Sequence, residues 1–87
     1  MIHCDDGGAH LRLRGNFDGA AALALRDQLM EAHASRIVID FGAVDAFDDS
    51  TLALLTVYVV LLRRRGRTVT LRGLGAAQRE ALQHFGL

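Results

Sequence analysis

The sequence predicts a small α/β domain, a mixed β-sheet with helices packed on it, in the order β-β-α-β-α-β-α, as one domain over residues 1–87. The run Ile37-Val38-Ile39 is short and β-branched, which is typical of a strand covered on both faces. Stretches of helical length flank it, from Ala20 to about His33 and from about Thr51 to Arg65. A helical crossover of this length allows parallel pairing of the strands that it connects.

The chain starts with a predicted antiparallel hairpin. Asp5-Asp6-Gly7-Gly8 is a strong turn signal between two short strand candidates, Ile2 to Cys4 and Ala9 to Arg14. Leu11 and Leu13 alternate with polar residues, so one face of the second strand is expected to meet the core and the other to meet water.

The predicted second strand ends at Gly15-Asn16, and Asp18 is placed to cap the first helix because its carboxylate accepts hydrogen bonds from first-turn amides. The apolar residues of that helix fall on one stripe at helical spacing: Ala22, Leu25, Leu29 and Ala32.

The second half of the chain continues the alternation of strand and helix. The central strand Arg36 to Asp40 should give way to an acidic turn between Gly42 and Asp49, and Gly66 should end the second helix as a left-handed cap. A strand from Arg67 to Arg72 and a helix from Ala76 to His84 complete the pattern, with Ala77, Ala81, Leu82 and Phe85 expected to point inward.

Composition narrows the possible functions. Ten basic and ten acidic residues give a formal net charge of +0, so no global field recruits nucleic acid. The same neutrality weakens repulsion between copies and is compatible with a homodimer. The arginines at Arg63 to Arg67 favour a solvated helix end, with contact to phosphate or lipid head groups as the alternative.

Several sites are disfavoured by the residue inventory. Cys4 is the only cysteine and the four histidines lack metal-ligand spacing, so we expect no metal and no cofactor. The start MIHCDDGG lacks the features of a signal peptide, and the apolar run Leu52 to Leu62 is shorter than the roughly 20 residues that a bilayer requires. The expectation is a cytoplasmic protein without direct membrane insertion and without enzymatic activity.

The candidate site lies where the loops after parallel strands gather at one edge of the sheet. Those loops are Gly15 to Asp18, Gly42 to Asp49 and Gly73 to Gly75, which should bring Asp18 close to Asp48, Asp49 and Ser50. Spacing alone favours plain helix capping by Asp48, Asp49, Ser50 and Thr51. The following helix is apolar on nearly all sides, so either both sides pack or part of it is an interface.

The segment RIVIDFGAVDAFDDSTLALL resembles the STAS domain family, in which a strand ending in Asp-Leu-Ser-Gly-Val leads to Asp-Ser-Ser/Thr-Gly-Leu and a helix. The matching residues are Asp40, Val44, Asp48, Ser50 and Leu52, followed outside the segment by Gly15 with Asp18, Gly66 and the closing Phe85-Gly86-Leu87. The resemblance covers nearly the whole chain. Asp49 stands in place of the family's first Ser, and Thr51 in place of its Gly.

The resemblance implies a non-catalytic switch of the anti-sigma-factor-antagonist type in bacterial-type transcription regulation. An anti-sigma serine kinase would be the partner, Ser50 the phosphorylated residue, and the partner-binding surface would comprise Asp18, Asp48, Asp49, Ser50, Thr51 and Leu52. Asp49 either weakens phosphorylation of Ser50 or makes the unmodified surface partly resemble a modified one. The alternative that the family offers is a cytoplasmic subunit of an ABC-type lipid transporter, bound to its ATPase.

Overall fold

The part of the chain that the structure describes forms four strands and three helices in the predicted order. A computed structural model describes residues 2–5, 8–31 and 33–87. The elements are β1 (Ile2–Asp5), β2 (Gly8–Phe17), α1 (Gly19–Glu31), β3 (Arg36–Phe47), α2 (Asp49–Arg64), β4 (Thr68–Arg72) and α3 (Ala76–His84). None of the helices within the described ranges is both long and apolar enough to traverse a bilayer.

The strands lie side by side in the order β1-β2-β3-β4. β1 pairs with β2 antiparallel, as the predicted hairpin requires, whereas β2 with β3 and β3 with β4 are parallel. The expected mixed sheet with helices packed on it is therefore confirmed. Two residues of the predicted hairpin turn, Asp6 and Gly7, lie outside the described residues.

The core lies between the sheet and its helices. In β3, Ile37, Ile39 and Phe41 are buried, while the alternate residues Val38 and Asp40 are only half-buried. The corresponding alternate positions of β2 and β4 are exposed. The prediction of a central strand covered on both faces was therefore wrong, because in this part of the sheet the side chains of one face are packed and those of the other meet solvent.

β2 and β3 extend further than the sequence pattern predicts. β2 continues through Gly15 and Asn16 to Phe17, and β3 continues through the expected acidic turn to Phe47. The pairing shifts register twice, between Arg12 and Arg14 and between Gly15 and Asn16 in β2, and each shift places one additional β3 residue in the ladder. These irregularities break the alternation of apolar and polar residues that identifies a strand in sequence.

A glycine in left-handed conformation follows the last turn of α2, as the sequence predicts. Gly66 has φ 80°, its amide donates to the Arg63 carbonyl at 3.0 Å, and the Arg67 amide donates to the Leu62 carbonyl at 3.1 Å, which is the Schellman pattern. The helix α1 ends at Glu31, short of the expected His33, and Ala32 of its predicted stripe lies outside the described residues.

The third helix differs from prediction in its inward residues. Leu82 is buried and Ala81 packs partly against the core, as expected. Ala77 and Phe85 are exposed, Phe85 to 44%, because Phe85 is the C-cap residue, where the helix is already ending.

Three phenylalanine rings connect the core to the ends of β2 and β3. Phe17 lies edge-on to Phe41 with ring centroids 5.4 Å apart, and Phe47 lies within 6.1 Å of Phe17 and 5.8 Å of Phe41. Such edge-to-face contacts add to the free energy gained from burial. This aromatic cluster anchors the last residues of β2 and β3, Phe17 and Phe47, on the core.

Candidate functional site

The candidate site lies beyond the paired ends of β2 and β3. Phe17 and Phe47 are register partners, and the amide of Asp48 donates to the carbonyl of Phe17 at 3.3 Å. Asp18 and Asp48 are thus the first residues after two adjacent strand ends. The geometry brings together two carboxylates that are 30 positions apart in sequence.

The third loop expected at this edge meets β3 at Gly42, the first residue of the predicted acidic turn, and not at its end. The ladder between β3 and β4 ends where Asp40 pairs with Arg72, well before β3 itself ends. Gly73 consequently lies against the backbone of Gly42 and not beside Asp48. The reason is length, because β3 runs seven residues past Asp40 while β4 stops at its partner Arg72.

Asp18 caps α1 as predicted. Its carboxylate Oδ1 accepts a hydrogen bond from the amide of Ala21 at 3.0 Å, and its carbonyl accepts from the amide of Ala22 at 2.9 Å. The side chain is exposed. Asp18 therefore has a structural duty at the helix start and still presents charge to solvent.

The start of α2 is held differently, because the Thr51 hydroxyl donates to main-chain carbonyl oxygens instead of accepting from a first-turn amide. Asp48 occupies the N-cap position in extended geometry, but its side chain makes no capping hydrogen bond. The Thr51 hydroxyl lies 2.7 Å from the Phe17 carbonyl oxygen and 2.6 Å from the Asp48 carbonyl oxygen. A hydroxyl has one hydrogen to donate, so these two acceptors share it.

Burial divides the six predicted partner-binding residues into two groups. Thr51 is 1% exposed and Leu52 is 3% exposed, so both side chains belong to the core and neither offers a contact surface in this structure. The other four are exposed: Asp18, Asp48, Asp49 and Ser50. The surface available to a partner at this edge consists of three carboxylates and one hydroxyl.

A row of exposed apolar residues continues from Ser50 along α2. Leu54, Val57 and Leu61 are 40%, 51% and 47% exposed. Their spacing puts them on one side of the helix, with half-buried Tyr58 beside them and Arg65 one turn beyond Leu61. We call this set the outer face of α2: Ser50, Leu54, Val57, Tyr58, Leu61 and Arg65.

The outer face of α2 borders a groove against α1. The groove has a volume of about 210 Å³ and is lined by Arg26, Leu29, Met30, Tyr58, Leu61, Leu62 and Arg65. On the α1 side, Leu23 and Met30 are also largely exposed. One side of this helix therefore packs against the core while another side faces solvent, which argues against the first of the two explanations, packing on both sides.

The remaining candidate groups have ordinary structural settings. Arg63 donates to the carbonyl of Val69 at 3.2 Å and so ties the end of α2 to β4. Within residues 8–31 and 33–87, histidine and carboxylate side chains form no group of three suited to a metal ion.

Comparison with known proteins agrees with this architecture. Residues 2–87 match the model of a protein family described as Mlab, STAS domain. A search of curated protein sequences found no match.

Solved structures share the fold at low sequence identity. The chain is similar to Mglu with 22% identity and a TM-score of 0.81, over 87% of this chain and 20% of the Mglu chain. It is similar to a sulfate transporter family protein from Wolinella succinogenes with 21% identity and a TM-score of 0.76, over 94% of this chain and 69% of the other.

A third likeness is to the anti-sigma factor antagonist SpoIIAA in its unphosphorylated form. The identity is 17% and the TM-score 0.78, over 95% of this chain and 80% of SpoIIAA. At these identities the likeness is one of fold. The chain thus spans a fifth of the Mglu chain and most of the other two.

Proposed function

This chain belongs to the STAS domain family, and from that membership we propose that it is a non-catalytic, cytoplasmic protein-binding switch that resembles an anti-sigma-factor antagonist. The unmodified protein binds an anti-sigma serine kinase, and phosphorylation of Ser50 releases it. One observation carries the proposal: Ser50 is exposed at the start of α2 and stands at the head of the exposed apolar residues Leu54, Val57 and Leu61.

The apolar part of the outer face of α2 supplies the area for binding. Exposed large apolar side chains that are contiguous and bordered by polar residues are typical of protein interaction sites. Here the border consists of carboxylates at one end, Asp48 and Asp49, and of Arg65 at the other. A partner that covers this surface also covers the Ser50 hydroxyl.

Phosphorylation of Ser50 would act on binding through charge. A phosphate group adds about −1.5 to −2 charges at pH 7. The amino end of α2 tolerates that charge, because the helix dipole favours an anion there. Next to Asp48 and Asp49, however, the phosphate would build a strongly negative patch that an apolar or acidic partner surface rejects.

The test is binding of the purified protein to the anti-sigma kinase by calorimetry. We expect Ser50→Glu to weaken binding at least about tenfold, since a like charge or an unpaired charge in an interface costs several kcal/mol. Thr70→Glu is the matched control, because Thr70 is exposed on β4 and is not part of the outer face of α2. Equal affinity of Ser50→Glu and wild type would remove Ser50 from the interface.

Modification itself needs a separate measurement. Incubation with the kinase and ATP, followed by phosphopeptide mapping, should place phosphate on Ser50 in wild type and none on that peptide in Ser50→Ala. A wild type that stays unmodified under conditions where the kinase is active would refute the switch while leaving the binding surface in place.

A second candidate is a cytoplasmic STAS subunit that binds the ATPase of an ABC-type lipid transporter. Asp49 and Thr51 favour it, because they replace the Ser and Gly of the motif and leave Ser50 beside a permanent charge. Affinity purification from native cells separates the candidates by recovering either a serine kinase or an ABC ATPase with its permease.

A further inference from the structure

The positions that form the outer face of α2 are spaced symmetrically about the middle of the helix. Its six positions follow one another at spacings of four, three, one, three and four residues. Reversal about the midpoint between Val57 and Tyr58 exchanges Leu54 with Leu61 and Ser50 with Arg65. A helix face with this property can meet a second copy of itself in antiparallel orientation, because a two-fold axis through the midpoint brings each position opposite its counterpart.

The residues that this symmetry places opposite one another match in polarity in the middle of the contact. Leu54 meets the second copy's Leu61, and Val57 meets its Tyr58, so the middle of the contact is apolar. On α1, exposed Leu23 and Met30 extend the apolar area beside it. Five of the six large apolar side chains exposed in the described residues thus lie on α1 and α2, where one contact can cover them: Leu23, Met30, Leu54, Val57 and Leu61.

The two ends of α2 carry opposite charges. Asp48 and Asp49 stand at its start, and Arg64 and Arg65 at its end, and all four residues are exposed. Parallel placement of two copies would bring like charges together, whereas antiparallel placement puts the acidic end of each α2 at the basic end of the other. With a formal net charge of +0, no overall repulsion opposes the encounter.

We propose that the outer face of α2 pairs with the same face of a second copy to form an antiparallel two-fold dimer. The dimer covers Ser50 with the second copy's Arg65. Self-association and binding of a different protein to α2 are then mutually exclusive. Only the monomer offers the outer face of α2 to a partner, so the monomer–dimer equilibrium sets how much of that surface is available. The dimer does not depend on modification of Ser50.

The first test is the molar mass of the protein across a range of concentrations by sedimentation equilibrium. We expect a reversible monomer–dimer equilibrium in wild type and a monomer in Val57→Asp, which places a charge at the centre of the contact. Thr70→Asp on β4 is the control and should dimerise as wild type does. Circular dichroism establishes that both variants are folded, which the exposure of both side chains favours.

The second test fixes the orientation through a charge exchange at counterpart positions. Ser50→Arg sets an arginine opposite the second copy's Arg65 and should weaken dimerisation at least about tenfold, whereas the double variant Ser50→Arg with Arg65→Glu should restore it. Ser50→Arg protein mixed with Arg65→Glu protein should form a heterodimer more readily than either dimerises alone.

Three results would overturn the proposal. Wild type that remains monomeric at all concentrations would reserve the outer face of α2 for a different protein. A dimer that survives Val57→Asp would use another surface. Failure of the double variant to recover what Ser50→Arg loses would exclude the antiparallel register. None of these results bears on whether a kinase modifies Ser50, so the switch stands or falls separately.

Discussion

The hydroxyl of Thr51, in the first turn of α2, lies 2.7 Å from the main-chain carbonyl oxygen of Phe17 at the end of β2. This contact joins two residues that are 34 positions apart in sequence. Together with the hydrogen bond from the Asp48 amide to the same carbonyl, it fixes the start of α2 to the strand that precedes α1. The neighbouring Ser50 is left exposed, so of the two adjacent hydroxyls only that of Thr51 holds this junction together.

Replacement of Thr51 by Val should lower the free energy of unfolding by about 1 kcal/mol, because the shape is kept while a buried hydrogen bond is lost. The Asp48 amide still serves the Phe17 carbonyl, which limits the loss. Urea unfolding measures the change. Ser50→Ala is the control and should stay within about 0.5 kcal/mol of wild type, since the side chain is exposed. Equal stability of Thr51→Val and wild type would contradict this role.

Removal of the carboxylate should be more harmful at Asp18 than at Asp48. Asp18→Ala loses a capping bond of 3.0 Å and should cost about 1 kcal/mol, whereas Asp48 makes no side-chain cap. Thermal unfolding of both variants gives the comparison, and Asp18→Asn should recover most of the loss because an amide oxygen also caps. A larger loss for Asp48→Ala would show that this assignment of roles is reversed.

Gly73 should tolerate alanine far less well than Gly66. Both have left-handed φ, 76° and 80°, so both variants carry the backbone penalty of roughly 1–2 kcal/mol. A Cβ on Gly73 would also clash with the amide nitrogen of Gly42, whereas nothing lies within 4 Å of one on Gly66. Comparison of the two midpoints in urea isolates the clash, and similar midpoints would argue against the close approach of Gly73 to β3.

Loss of the Phe41 ring should destabilise the fold severely. Phe41 is 1% exposed and contacts both other rings of the aromatic cluster, so Phe41→Ala should cost about 3–5 kcal/mol. Phe85→Ala removes the same side chain from a position that is 44% exposed and should cost much less. The two unfolding free energies measured side by side test whether the cluster at the strand ends carries stability.

The element order, the parallel pairing and the caps at Asp18 and Gly66 follow from local signals, and the sequence therefore predicted them. Capping residues and glycine turns act on their immediate neighbours, so no tertiary information is needed to identify them. The lengths of β2 and β3 were missed because bulges interrupt the alternation on which strand prediction depends.

The candidate site was predicted in position and only partly in composition. Asp18 and Asp48 do follow adjacent strand ends, but spacing did not distinguish exposed Ser50 from buried Thr51. The sequence held no local signal for this difference, because Ser50 and Thr51 each precede a leucine by one helical turn, and only the structure shows Leu54 exposed and Leu55 buried. Which apolar residues of α2 stay exposed depends on where α1 and α3 end, and no local pattern contains that information.

The two register shifts in β3 also decide which way its last residues point. Up to Phe41, the odd-numbered residues of β3 face the helices. After the first shift an even-numbered residue, Val44, packs on the core and pairs with Gly15. After the second shift an odd-numbered residue, Phe47, does so again. Each inserted residue reverses the direction of the side chains that follow it, and only the two insertions together restore the original direction. Deletion of Asp45 alone would leave an odd count, turn Phe47 out to water and rotate the entry to α2 by half a turn of the strand.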